Sequence, residues 1–236
     1  MKKLTFLITL PLVACLALFL GMANKPDISG KPLKSQLKLI EPLSQNLQIN
    51  CSDLSKGAYF IDELRLNKTD ILDNKVCFFL NRDFIFTEFT LDDTKLVMKE
   101  YGQFGKNLLA PVIDSLNYFH VSRKCKLYRL DFPQPNELPE TFTVKLKYHL
   151  VDENYRSFVK IRNASLIISG NSFWYPRNYL RDENLALTVK TTDRLAFSLD
   201  GKAMDYVMTQ TYAKEYRHSF TDRADNPAAI IFKYKS

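Results

Sequence analysis

The sequence predicts an all-β protein, an antiparallel β-sandwich with at most one or two short helices, and three observations carry that expectation. Phe142, Val144, Leu146 and Tyr148 alternate with Thr143, Lys145, Lys147 and His149, the pattern of a half-buried strand. Short apolar runs recur at close spacing as far as Tyr234, and the best helix candidate is a single segment, residues 106–116. The composition agrees, since 46% hydrophobic and 13% aromatic residues in 236 supply a substantial core. Seven glycines and ten prolines are too few for a low-complexity chain, and no solenoid-type repeat is present.

Met1-Lys2-Lys3 followed by the apolar run 4–22 has the basic and hydrophobic regions of an export signal. Residues 1–23 are read as signal peptide or membrane anchor. Three fates stay open: cleavage after Gly21-Met22-Ala23, retention as an anchor, or lipidation at Cys15. Leu12-Val13-Ala14-Cys15 resembles a bacterial lipobox, although the residues after Cys15 stay apolar. The expected location is periplasmic or otherwise extracytoplasmic, with membrane contact through this segment. Residues 24–35 hold two prolines and a glycine without periodicity and form a linker, so the β-sandwich domain takes residues 36–236.

Residues 37–47 suit either a short helix or an extended lead-in broken by Pro42. Val76, Phe78 and Leu80 alternate, Asn81-Arg82-Asp83 turns, and Phe84-Ile85-Phe86-Thr87-Glu88-Phe89 forms the next strand. In 106–116, Leu108, Leu109, Val112, Ile113 and Leu116 have helical spacing, with Pro111 in the first turn or at a kink. Tyr118-Phe119-His120-Val121 and Leu127-Tyr128-Arg129-Leu130 return to strand composition. Pro133, Pro135 and Pro139 make 133–140 a loop, because prolines cannot donate to a ladder. Further strands are expected at 158–161, 166–168, 185–189, 195–199, 206–212 and 230–234, with Asp200-Gly201 as a hairpin turn.

The only tryptophan lies in Ser169-Gly170-Asn171-Ser172-Phe173-Trp174-Tyr175-Pro176-Arg177. Pro176 fixes its own φ and biases Tyr175 toward an extended backbone, so Phe173, Trp174, Tyr175, Pro176 and Arg177 are read as a structural aromatic corner.

Chemistry is conspicuous by what the motifs exclude. His120, His149 and His218 are scattered without a His-Glu-x-x-His, and no phosphate-binding loop, dinucleotide fingerprint or nucleophile elbow occurs. Neither a metal site nor a cofactor site is supported, and no catalytic residue is assigned. Cys125 with His120 lacks an identifiable orienting acid, while Asp92-Asp93 and Asp182-Glu183 suit solvated turns. Of the cysteines outside the export segment, Cys77 reads as a buried small hydrophobe, and Cys51 with Cys125 is the pairing to consider for a disulfide. Without Lys2 and Lys3 the 33 basic residues fall to 31 against 26 acidic, net +5. That mild excess, densest over Ser122 to Arg129, suits a solvated strand face in an exported protein and argues against a nucleic-acid partner.

The order of features resembles the noncatalytic N-terminal β-sandwich domain of the aminopeptidase N family of zinc metallopeptidases. The likeness is carried by Phe78-Phe79-Leu80-Asn81-Arg82-Asp83-Phe84-Ile85, by Thr141 to Tyr148, and by Gly170-Asn171-Ser172-Phe173-Trp174-Tyr175-Pro176-Arg177. It continues through Leu185-Ala186-Leu187-Thr188-Val189 and Ser198-Leu199-Asp200-Gly201 to Asn226-Pro227-Ala228-Ala229-Ile230-Ile231-Phe232. In that family a thermolysin-like domain supplies the zinc ligands and the exopeptidase motif, and no residue here matches them. The resemblance implies a scaffold, which in the relatives packs on the peptidase domain. The expected function is an exported, noncatalytic module that binds a protein or peptide partner. The alternatives are an accessory fragment working with a separate catalytic chain and a β-cavity carrier of an apolar ligand.

Overall fold

The computed structural model describes residues 38–91, 94–101, 125–150, 159–162, 165–169, 173–178, 184–209, 213–221 and 229–235. The export segment expected at 1–23 with Cys15, the linker expected at 24–35, the helix expected at 106–116, the strand expected at 118–121 and the two acid pairs lie outside those residues.

Residues of period two build nearly everything described. The strands are β1 (Ser44–Cys51), β2 (Ala58–Asn67), β3 (Lys75–Asn81), β4 (Phe84–Leu91), β5 (Thr94–Lys95), β6 (Val97–Tyr101), β7 (Cys125–Asp131) and β8 (Thr141–Leu150). They continue as β9 (Val159–Arg162), β10 (Ser165–Ser169), β11 (Leu185–Thr192), β12 (Leu195–Leu199), β13 (Lys202–Ala203), β14 (Val207–Met208), β15 (Ala213–Phe220) and β16 (Ala229–Tyr234). The chain is all-β, as expected. Its helical content among the described residues is three single 3-10 turns, at Leu54–Lys56, Lys68–Asp70 and Pro135–Glu137. The last sits in the proline-rich loop.

The described strands form three sheets. One has eight strands in the order β14-β15-β11-β1-β2-β8-β4-β5, one has five, β13-β12-β16-β10-β9, and one has three, β3-β7-β6. The core shows how they face each other. Phe86 of β4 packs edge-on against Tyr128 of β7 at 4.8 Å, and Phe78 of β3 stacks on Tyr128 at 5.6 Å, so the three-stranded sheet covers one end of the large sheet. Phe197 of β12 meets Tyr216 of β15 at 5.1 Å and Phe232 of β16 at 5.3 Å, so the five-stranded sheet covers the other end.

The named strands pair antiparallel, as expected, with one exception. β1 runs parallel to β11, with Leu47 opposite Leu187 and Ile49 opposite Val189. A parallel neighbour needs a long crossover, and here β1 and β11 are separated by more than half of the chain. The lead-in to β1 is extended rather than helical: Leu39 bridges Cys77 in parallel, and the Ile40 N–H donates to the Cys77 carbonyl at 2.8 Å. In β3 both faces are buried, Val76, Phe78 and Leu80 on one and Cys77 and Phe79 on the other. The turn at Asp200 (φ 51°) and Gly201 (φ 77°) joins β12 to β13 with both central residues left-handed, the geometry of a two-residue hairpin. The strand expected over 206–212 shrinks to β14, while 210–212 lie outside the described residues.

The disulfide is also corrected. Cys51, Cys77 and Cys125 are all buried and none is in a disulfide; Cys51 ends a strand of the large sheet and Cys125 begins one of the small sheet. Burial pushes the Cys51 and Cys77 thiols up to about 12, and the Asp53 charge adds to the effect on Cys51. Thiolate is the reactive form, so both should resist iodoacetamide at neutral pH and become alkylated only after denaturation, as peptide mass spectrometry would read. Modification of either cysteine in the native chain would contradict their burial.

Candidate functional site

The aromatic corner runs along the outer edge of β3. Phe79 and Arg177 exchange backbone hydrogen bonds at 3.1 Å in both directions, and the Asn81 N–H donates to the Phe173 carbonyl at 2.8 Å. The stretch from Phe173 to Asn178 is therefore an added, irregular strand that closes the exposed side of the three-stranded sheet. All six of its residues are buried.

Each side chain has a defined place. Phe173 adopts φ +55°, a left-handed backbone uncommon for a bulky residue, which costs on the order of 1–3 kcal/mol and is held by packing. Its ring meets Phe79 edge-on at 6.2 Å and lies 4.9 Å from the Arg177 guanidinium, which also sits 5.5 Å from the Tyr175 ring. Trp174 is fully buried and packs edge-on to Tyr175 at 4.7 Å. Pro176, with no N–H of its own, accepts a hydrogen bond on its carbonyl from Gln45 Nε2 at 3.1 Å.

Residues distant in sequence complete the corner. Gln45 Nε2 also donates to Asp62 Oδ2 at 2.7 Å, and the Tyr148 hydroxyl reaches the Trp174 carbonyl at 3.4 Å. Burial, and then the Asp62 charge, holds the Tyr148 hydroxyl well above the usual phenol range, so it stays protonated and able to donate. Gln45, Asp62 and Tyr148 come from β1, β2 and β8, so the corner is anchored to three neighbouring strands of the large sheet. The Asp62 position carries a sequence signal, since Phe60, Asp62, Leu64 and Leu66 share one strand face on which a carboxylate is unexpected.

This arrangement is built to hold rather than to react: its polar atoms are buried and its cation rests over aromatic faces. The other candidates do not converge on it. His149 stacks on Tyr59 at 5.7 Å on the outer face of the large sheet, His218 sits edge-on to Phe220 at 4.5 Å, and His120 lies outside the described residues. Among the described residues no three His, Cys, Asp or Glu side chains gather as metal ligands, so they do not fit a zinc site. In the basic stretch, Lys126 pairs with Glu100 at 2.9 Å and Arg129 with Asp131 at 2.6 Å, while Leu127 and Tyr128 are buried, leaving no continuous cationic face among the described residues.

An open groove of about 490 Å³ lies at the β14 edge, lined by Asp205, Tyr206, Val207, Thr209, Glu215 and Arg217. With one aromatic and several charged groups it lacks the Phe- and Tyr-rich lining an apolar-ligand carrier needs.

No family model matches the sequence, and no curated protein matches it. Solved structures do. An M1 zinc metallopeptidase from Deinococcus radiodurans superposes with a TM-score of 0.52 at 9% identity, over 82% of this chain and 42% of that one. Leukotriene A4 hydrolase from Saccharomyces cerevisiae gives 0.54 at 9% identity, over 82% and 29% of the two chains. The yeast enzyme in complex with bestatin gives 0.53 at 12% identity, over 90% and 32%. The chain thus spans less than half the length of the peptidases it resembles, and its fold is that of a part of the M1 metallopeptidases, as the resemblance in sequence leads one to expect.

Proposed function

We propose that this chain is an exported, noncatalytic β-module that binds a protein or peptide partner. One observation carries the reading: the fold is that of a part of a peptidase, while the described residues gather no ligand set for a catalytic metal. A scaffold without a catalytic site can act through its surface, and the partner-binding role rests on that analogy of fold. The basic start and apolar run of residues 1–22 support export.

The test is crosslinking of the full chain in its native membrane, followed by affinity isolation and assay of the eluate on an aminoacyl chromogenic substrate. A discrete crosslinked species without peptidase turnover is the expected result. Co-purifying aminopeptidase activity would replace the reading by the accessory-fragment alternative, and a chain recovered alone would overturn partner binding.

A further inference from the structure

Sheet edges in this protein fall into two kinds. β5 carries Lys95, β13 carries Lys202, β9 carries Lys160 and Arg162, and β6 carries Lys99. Lysine and arginine on an edge discourage another strand from pairing with it. The edge of β3 is occupied by residues 38–40 and by the aromatic corner. The remaining edge, β14, has neither device among the described residues. Val207 and Met208 hold no charge, and Tyr206, Val207 and Met208 are 47%, 73% and 49% exposed.

The backbone there is set for pairing. Val207 lies opposite Glu215 and Met208 opposite Lys214, and the Thr209 N–H donates to the Ala213 carbonyl at 2.8 Å. Alternate residues of an antiparallel strand turn their backbone groups to opposite sides. Thr209 and Val207 therefore face β15, and the N–H and C=O groups of Tyr206 and Met208 face outward. The edge is also held firmly, because the Tyr206 ring sits 5.1 Å from the Lys214 ammonium and 5.5 Å from the Tyr216 ring. Lys214 in turn donates to the Asp193 and Leu195 carbonyls at 2.8 and 2.9 Å. Charge selects the incoming chain. Glu215 is engaged with Arg217 at 2.6 Å and Lys190 at 3.8 Å, while Asp205 makes no ion pair among the described residues.

We infer that β14 accepts an extended peptide segment as an added strand, one that places an apolar residue beside Val207 and a lysine or arginine near Asp205. The inference rests on the partner-binding reading and names its surface.

Random octapeptides displayed on phage, selected on the immobilised full chain, supply the probe, and selected sequences are synthesised and titrated by fluorescence anisotropy. The selected peptides should share an apolar residue close to a basic one. Met208→Pro removes one outward N–H and leaves the β15-facing groups in place, so affinity should fall about tenfold or more, as should that of Val207→Lys. Asp205→Lys should shift the selected charge from basic to acidic. Circular dichroism checks the fold of each variant. If Met208→Pro does not fold, N-methylation of alternate peptide amides makes the same test from the ligand's side.

Peptides that bind all variants and tolerate N-methylation, or a selection no richer than on an unrelated β-protein, would overturn the inference. So would a dimer in sedimentation that Val207→Lys abolishes, since the occupant is then a second copy. A membrane partner still captured by Val207→Lys would sink this surface and leave the partner-binding reading intact, whereas capture absent from the unmodified chain would sink that reading first.

Discussion

Trp174→Ala should lower the stability of the domain by about 3–5 kcal/mol, the range for deleting a large buried aromatic, and that is a large share of the roughly 5–15 kcal/mol typical of a folded domain. The indole is fully buried, packs edge-on to Tyr175 at 4.7 Å, and belongs to the contiguous core that includes Tyr148 and Phe78. Its loss would empty the joint at which the corner segment meets β3 and the large sheet, where backbone hydrogen bonds limit collapse. Trp174 is the sole tryptophan, so its emission reports this joint alone and should be blue-shifted in the native state and shift to the red on unfolding in urea. Trp174→Phe should cost clearly less, because Nε1 has no hydrogen-bond partner among the described residues and mainly ring volume is lost. An unchanged melting temperature in Trp174→Ala, with solvent-exposed emission in the parent, would remove the corner from the core and make it a binding surface.

What the sequence reveals depends on whether a strand's core face is uniformly apolar. β8 is legible because Phe142, Val144, Leu146 and Tyr148 are all buried and the residues between them are polar. β12, β16 and the Asp200-Gly201 turn are legible for similar local reasons. β2 and β15 escape a reading by alternation because each sets a charged residue on its core face: Asp62, at 0% exposure, and Lys214, at 2%. Their partners, Gln45 and the Asp193 and Leu195 carbonyls, are distant or are backbone groups, so the pattern breaks at a residue whose partner the local sequence does not show. The parallel β1–β11 pairing and the docking of the corner on β3 are likewise non-local. The aromatic cluster at 173–177 is visible as a motif, but Gln45, Asp62 and Tyr148, which complete it, come from strands more than twenty residues away. The open β14 edge is the opposite case, where Tyr206, Val207 and Met208 look like ordinary core strand until the fold leaves them on the rim.

The second large effect is expected from Gln45→Glu, which changes almost no volume and replaces a donor by a carboxylate. Gln45 Nε2 now serves both Asp62 Oδ2 at 2.7 Å and the Pro176 carbonyl at 3.1 Å, with Gln45 1% exposed and Asp62 0%. In the variant two carboxyl groups would occupy one buried site, and like charge together with burial raises the folded-state pKa of the pair above the value of about 4.3 for an unfolded glutamate. A raised acid pKa means that the penalty is absent below the unfolded pKa and grows as the pH climbs toward the folded one, by about 1.4 kcal/mol per unit. A shift of about 2–3 units then adds about 3–4 kcal/mol to the deficit between pH 4 and pH 8, so that with the lost Pro176 hydrogen bond the variant is about 4–5 kcal/mol less stable than the parent near pH 8. Near pH 4 the introduced carboxyl is protonated and can donate to Asp62 in place of the lost amide, leaving a deficit of about 1 kcal/mol from the undonated Pro176 carbonyl. Urea unfolding of parent and variant at both pH values reads the difference directly. Equal deficits at the two values would show that the variant side chain turns away from Asp62, and that the link from β1 and β2 is not what holds the aromatic corner to the large sheet.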